Sequence, residues 1–259
     1  AGPFFNLLLA VILLYIIFQI SGLYILQPTV GKVEEGSPAY EAGLKPGDEI
    51  VAIGDTRIDS WEKMSERISE SNGKPLSVTV RRDTEKREVT IEPQKREDKN
   101  IFGEEIERYI IGITSSGDVL RRQLNPGRAL VESVVQTYKI TELTVISIVK
   151  LFQGTLSVDT LGGPIMIADL AGKQAREGIG NLAFFTALLS VNLAILNILP
   201  IPVLDGGHLL FFFIELLIGR PVNQKVRERA QQVGLFILIF LMVFVIYNDV
   251  TRLTGNWFN

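Results

Sequence analysis

The residues best placed to do chemistry lie in NILPIPVLDGGHLLFFF, from Asn197 to Phe213, within the most apolar part of the chain. The stretch carries two prolines, two glycines, an Asn, an Asp and a His. Pro200 and Pro202 each lack a backbone donor and push the preceding residue out of the α region. A helix arriving from Asn181 must therefore stop near Leu199. Gly206 and Gly207 then let the chain turn, so that a second helical piece begins. Broken backbone at membrane depth is tolerated only inside protein or beside water. A carboxylate at that depth costs roughly 3 kcal/mol on insertion scales, so Asp205 asks for a partner, an ion or a cavity. Three roles for Asp205 stay open on these residues alone. It could be an oxygen ligand to a metal such as zinc, or an ion or proton site in a transporter with discontinuous helices. It could also be the N-cap of the helix that follows. His208 lies three residues on, and its ordinary role is that of a polar residue lining a helix.

Around this stretch the composition is mixed. The chain is 47% hydrophobic and 21% charged, with a mean hydropathy of +0.26, which points to membrane segments plus a water-exposed domain. A net charge of −3 gives no support for a nucleic-acid partner. The absence of cysteine excludes disulfides and thiolate chemistry. No G-x-S-x-G setting occurs, and a Ser–His–Asp triad would have to use His208, the single histidine.

Three regions are long and uncharged enough to cross a bilayer: residues 4–26, residues 178–204 continuing past Asp205 to Ile214, and the run between Arg229 and Asp249. The loop between the last two holds Arg220, Lys225, Arg227 and Arg229 against Glu228, which puts it in the cytoplasm by the positive-inside bias. The polar region between Gln27 and Gly178 then lies on the other side of the membrane. Ala1 is not an initiator Met, and the expectation is that the chain is a cut from a longer protein.

The polar region opens with short alternating strands, a turn at GLKPGD and a helix SWEKMSERISES with Ser60 as its N-cap, a small α+β module. Residues 128–152 show helical spacing of apolar residues with polar faces, suited to a helix on the membrane surface or against the bundle. The division expected is a transmembrane helix at 1–27, the α+β module at 28–96, and a charged, irregular connector at 97–127. Amphipathic or interfacial helices follow at 128–180, and a broken transmembrane helix at 181–218. A basic loop at 219–229, a transmembrane helix at 230–250 and a tail at 251–259 complete it.

Two resemblances rest on these residues. SPAYEAGLKPGDEIVAIGDTRIDSW, the helix after it and GKPLSVTVRR resemble a PDZ domain of the bacterial protease type, with Gly54-Asp55 where Asn-Gly is usual. The resemblance implies a peptide ligand added beside a strand, in a groove at Thr29, Val30 and Gly31 facing the helix 61–70. NILPIPVLDGGHLLFFFIELLIGRPV resembles the third membrane segment of the site-2 proteases, the intramembrane zinc metalloproteases, whose N-x-x-P-x-P-x-x-D-G-G element matches at Asn197, Pro200, Pro202, Asp205, Gly206 and Gly207. AGPFFNLLLA, FQGTLSVDTLGGPIMIA and SVNLAILN match the family in the same order.

That likeness implies a multi-pass α-helical membrane protein with an inserted small α+β PDZ-like domain, in the bacterial inner membrane, with the PDZ-like domain on the periplasmic side. It implies a zinc ion held by Asp205 and two His of an H-E-x-x-H helix, with the Glu as general base. Asn197, Pro200 and Pro202 would contact the substrate, a single-span membrane protein such as an anti-sigma factor or a remnant signal peptide. Here the sequence departs from the pattern, because one histidine cannot make H-E-x-x-H. The family places that helix ahead of A-G-P-x-x-N, here Ala1 to Asn6. The expectation is an active zinc endopeptidase for the complete protein and an inactive chain as given. The alternative is a catalytically inactive, membrane-anchored PDZ adaptor.

Overall fold

The computed structural model describes residues 1–157 and 162–255. Residues 158–161 of FQGTLSVDTLGGPIMIA and residues 256–259 of the expected tail lie outside this description. The chain divides into two compact units, one made of Ala1–Ser21 with Leu124–Asn259, the other of Gly22–Gln123.

The first unit is helical. Its elements are α1 (Gly2–Ser21), α4 (Pro126–Phe152), α5 (Pro164–Glu177), α6 (Ile179–Ile198), α7 (Asp205–Ile218) and α8 (Gln224–Gly255). By length and apolarity, α1, α6 and residues Gln224–Arg252 of α8 are each able to cross a membrane. α1 packs chiefly on α6 and α4. The face that α6 buries holds Ala187, Ser190 and Ala194, small residues at helical spacing that let two apolar helices approach closely. α4 buries a similar stripe, Ala129, Ser133, Thr137 and Ile140. Its Thr144 hydroxyl lies 2.8 Å from the Asn192 side-chain oxygen of α6, so packing there is joined by a polar contact away from water.

The first apolar run does not remain helical to Leu26. Gly22 adopts φ +73°, a left-handed conformation that ends α1, and Leu23–Leu26 forms strand β1. β1 pairs antiparallel with β10 (Val119–Arg122), and a Cβ at Gly22 would lie 2.8 Å from the Arg122 carbonyl oxygen.

The second unit holds the remaining strands. β2 (Val30–Val33) pairs with β9 (Ile113–Ser115), and a four-stranded sheet runs β4 (Thr56–Arg57), β3 (Glu49–Ile53), β5 (Leu76–Arg82), β6 (Glu85–Ile91). Short helix α2 (Pro38–Glu41) starts at Ser37, and α3 (Trp61–Glu70) starts at Ser60, whose hydroxyl accepts from the Lys63 amide at 3.2 Å. Val30, Ile50, Met64, Val78, Val80 and Ile91 fill the core. β5 and β6 turn through Asp83, which takes φ 56°, a left-handed conformation that an Asp tolerates.

The expected irregular connector at 97–127 is instead largely strand. β7 (Gln94–Lys99) and β8 (Glu105–Ile110) form a hairpin, followed by β9 and β10. The compact unit therefore ends at Gln123 rather than Arg96. Every residue of β7 is exposed, so the hairpin has no buried face on that strand and no apolar alternation to announce it.

Candidate functional site

The broken helix is built by Pro200. Leu199, the residue before it, sits at φ −57°, ψ 143°, in the extended region that a following proline imposes, and α6 ends there. The chain crosses to α7 through tight hydrogen bonds, Ile201 N–H to the Leu199 carbonyl at 2.7 Å and Leu204 N–H to the Ile201 carbonyl at 2.9 Å. Gly206 and Gly207 do not make the turn. Neither has a positive φ, and both lie inside the first turn of α7. They are needed for close approach. A Cβ at Gly206 would fall 2.1 Å from the Ile198 carbonyl oxygen, and one at Gly207 would fall 2.3 Å from that of Ile201. The start of α7 thus lies flush against the backbone of the break, which no larger residue permits.

Asp205 stands at the first position of α7, with Leu204 as N-cap. The capping role is therefore not the one it fills. Its side chain is 49% exposed, and among the described residues it accepts no hydrogen bond; the Ala1 nitrogen is 3.9 Å from Oδ2. Gly2 lies beside it, so closely that a Cβ there would be 2.8 Å from Oδ2. The start of α1 is brought to this point by packing on α6, reinforced where the Ser190 hydroxyl donates to the Asn6 carbonyl at 2.7 Å. Residues some two hundred positions apart in sequence thus meet at one carboxylate.

The other expected residues sit around the break. Asn197 is half-buried in the last turn of α6, and its amide makes no hydrogen bond within the described residues. Pro200 is exposed and Pro202 half-buried. His208 is exposed on the turn after Asp205. A catalytic zinc normally takes three protein ligands. Asp205 fits as one of them, an oxygen donor that accepts no hydrogen bond among the described residues, and residues 1–259 hold one histidine in all.

Another part of the helical unit escaped sequence reasoning. Asp249 of α8 is buried, and it accepts the amides of Gly163 (3.0 Å), Ile165 (3.0 Å) and Met166 (3.1 Å). A side chain on one helix thus caps the start of another, which α5 cannot do for itself with Gly163 at its N-cap. In the sequence Asp249 is only a flanking charge after the last span, and nothing local marks its partner. Likewise Arg227, counted as a loop charge, pairs with Glu215 of α7 at 2.7 Å and lies 5.6 Å over the Phe211 ring.

In the second unit, a groove of about 540 Å³ runs between α3 and the chain around Ile111 to Thr114, with Trp61, Met64 and Ile68 along one side. Thr29, Val30 and Gly31 do not line it. Thr29 bridges Glu49 on one edge, while the other edge is occupied by β9, with Val30 paired to Ser115. Gly31 is where the Ser115 carbonyl comes closest, 2.4 Å from where a Cβ would sit. The free edge is passed on to β9. Its Gly112 carbonyl accepts the Glu34 amide at 2.9 Å, so by antiparallel alternation Ile113 turns its backbone groups the other way.

Comparison with known proteins matches the model of peptidase family M50 to residues 1–241. A putative zinc metalloprotease of Agrobacterium fabrum is 37% identical over 258 residues, covering 98% of this chain and 68% of that protein. The regulator of sigma-W protease RasP of Bacillus subtilis is 34% identical over 253 residues, covering 98% of this chain but only 58% of that protein. A protease RseP sequence from Photorhabdus luminescens is 36% identical over 226 residues, 86% of this chain and 100% of the relative. Among solved structures, the PDZ domain of an SdrC-like protein from Listeria monocytogenes is 20% identical, covers 34% of this chain and 84% of its own, and has a TM-score of 0.27.

Proposed function

Because the chain belongs to peptidase family M50, the site-2 protease family, we propose that it is the larger part of an intramembrane zinc metalloprotease that cleaves single-span membrane proteins. The observation that carries this is the Asp205 carboxylate. Among the described residues it accepts no hydrogen bond, and it stands at a helix break, among helices apolar enough to span a membrane, with Gly2 pressed against it.

In this reading Asp205 is one of the zinc ligands, and the rest of the ligand set with the general base comes from parts of the longer protein outside these residues. A bound zinc ion polarises water and the scissile carbonyl. The chain's own residues do the positioning. The stacked glycines hold Asp205 at a fixed point relative to the break. Asn197 offers a side-chain amide that makes no hydrogen bond among the described residues, able both to donate and to accept, to the backbone of a substrate held extended. Pro200 and Pro202 keep the segment between them from closing into helix, which maintains the break between α6 and α7.

The membrane is the bacterial inner membrane, with the 22–123 unit on the periplasmic side and the basic segment 219–229 in the cytoplasm. The substrate class is a membrane protein of the anti-sigma type or a remnant signal peptide. The groove beside α3 holds a peptide by adding it to the free edge of β9.

The test is cleavage of a single-span substrate by the complete protein in detergent, with zinc measured on the same sample. Asp205→Ala is expected to lower turnover by on the order of 10³-fold or more and to reduce bound zinc. Cleavage retained at full rate in excess zinc would remove Asp205 from the ligand set.

A further inference from the structure

Resting on the reading of α1 as a membrane span, we propose that a second groove of the 22–123 unit, built from Arg57, Thr79, Lys86 and Arg122, binds the phosphate of an anionic phospholipid headgroup.

The groove has a volume of about 620 Å³ and lies on the outer face of the four-stranded sheet, walled on one side by Gln27, Leu120 and Arg122 of the β1–β10 ribbon and its end. The register shows what gathers there. Ala52 stands across from both Arg57 and Thr79, and Arg81 across from both Glu49 and Lys86. Directly opposite residues share a face, and Val78 and Val80, which alternate with Thr79 and Arg81, fill the core. The face away from the core therefore carries Arg57, Arg81 and Lys86, with Thr79 among them.

Like charges directly opposite repel, as Arg81 and Lys86 must. Glu49 relieves Arg81, with which it pairs. Arg57 and Lys86 make no ion pair among the described residues, and the Thr79 hydroxyl makes no hydrogen bond there. Arg122 is held loosely, 3.7 Å from Asp59, a carboxylate that Lys63 shares at 3.7 Å. Asp55 is the remaining acid of the lining and also makes no ion pair among the described residues. The groove is left with surplus positive charge and a hydroxyl donor, the groups that hold a phosphate.

The source of that phosphate follows from the chain. α1 has 20 residues. That is about 30 Å of helix, the thickness of the hydrocarbon core. It ends at Ser21 and β1 starts at Leu23, so the ribbon leaves the bilayer at headgroup level. Arg122 stands across from Leu23, and a Cβ on Gly22 would lie 2.8 Å from the Arg122 carbonyl oxygen. Tyr24, on the other face of the ribbon, is 61% exposed, and an exposed aromatic ring suits the headgroup belt. A zwitterionic headgroup brings an ammonium that the groove's cations repel, whereas an anionic one brings only its phosphate.

The experiment uses energy transfer. The chain has no cysteine, so Ser77→Cys gives one labelling position, on β5 two residues from Thr79 and outside the groove lining. The whole labelled chain is placed in phosphatidylcholine nanodiscs with a low, equal fraction of acyl-labelled phosphatidylglycerol or phosphatidylcholine as acceptor. The parent is expected to enrich phosphatidylglycerol near the label by at least about 5-fold over phosphatidylcholine. The double variant Arg57→Gln, Lys86→Gln is expected to bring this below about 2-fold, and Arg122→Gln to lower it independently. Asp55→Asn is expected to raise it. Inorganic phosphate at about 10 mM should leave the preference in place, since a membrane presents its headgroups at far higher effective concentration. Equal transfer to the two lipids overturns the proposal, as does a preference unchanged in the double variant and in Arg122→Gln. A preference abolished by inorganic phosphate overturns the lipid assignment in favour of a soluble phosphate. Absence of transfer to either lipid sinks the membrane reading of α1, and the site with it.

Discussion

Three aspartates, Asp48 and Asp249 buried and Asp205 exposed, lie beside glycine or proline residues in different regions of this molecule, and their surroundings separate them. Asp48, in the KPGD turn of the 22–123 unit, is saturated. It accepts the Lys45 amide at 2.8 Å and both the Nε and Nη2 of Arg82, at 2.7 and 2.8 Å. Asp249 accepts three backbone amides at the start of α5. Asp205, at the helix break, accepts no hydrogen bond from the described residues. Sequence alone gives all three the same letter, and only Asp48 and Asp205 have glycine or proline as chain neighbours. A carboxylate whose lone pairs are filled by its own protein is a structural device, whereas a bare one at a helix break is available for chemistry.

The contrast breaks first at Gly2. If the space beside Asp205 belongs to a working site, Gly2→Ala in the complete protein should lower cleavage by about 10- to 100-fold, the usual range for disturbing the surroundings of a ligand. The added methyl would lie 2.8 Å from Oδ2, against a flexible carboxylate end, so expression and thermal stability should hold. Unchanged turnover would mean that Asp205 can swing aside at no cost to the reaction.

At Gly206 the effect should be on folding as well. A Cβ there meets backbone oxygens at 2.1 and 2.3 Å, which cannot move without parting α6 from α7. Gly206→Ala should cost more than about 3 kcal/mol of stability, at the level of severe overpacking. Gly219→Ala is the control. Gly219 has the left-handed φ of 71° but open space around its Cβ position, so the cost should be near 1 kcal/mol. Similar losses at both positions, read as shifts in thermal unfolding in detergent, would show that conformation rather than close approach decides at the break.

Most of the break was legible because prolines act locally. Pro200 dictates the conformation of Leu199 whatever lies around it, so the end of α6 could be read from the letters. What lay beside Asp205 could not, because Gly2 reaches it through packing between α1 and α6, where the Ser190 hydroxyl donates to the Asn6 carbonyl. Local rules also misassigned the glycines, since a turn and a close approach both demand Gly and only the contact tells them apart. The hairpin β7–β8 escaped for a different reason. Its strands pair through charges, with Lys95 on Glu107 at 2.6 Å and Arg108 on Asp98 at 3.4 Å, and the period-2 apolar signal never arises. That Thr29 and Val30 pair with Glu49 and β9 instead of lining the groove was hidden for the same reason, since the partner strand follows a segment that reads as connector.

The smallest effects should come from Asp48 and from pH. Desolvation pushes the Asp48 carboxyl up, but the hydrogen bond from Arg82, then the Lys45 amide, outweigh it and leave its pKa below the ordinary carboxylate range. A carboxyl lowered on folding adds stability above its unfolded pKa, roughly 3.9, and that stability disappears as pH falls through the folded value. The 22–123 unit should therefore show a stability that is flat near neutrality and declines only below about pH 4. Asp48→Asn keeps the shape but loses the charge for Arg82, and should cost about 2 kcal/mol at pH 7 while flattening the acid limb. Tryptophan fluorescence can follow this, since Trp61 sits in α3 against the same core and the other Trp, at position 257, lies outside the described residues. Asp205→Asn should leave that acid limb where it is, because Trp61 reports on the 22–123 unit and Asp205 belongs to the helical unit. If the two variants shifted the acid limb alike, hydrogen-bond saturation would no longer distinguish the structural aspartate from the functional one.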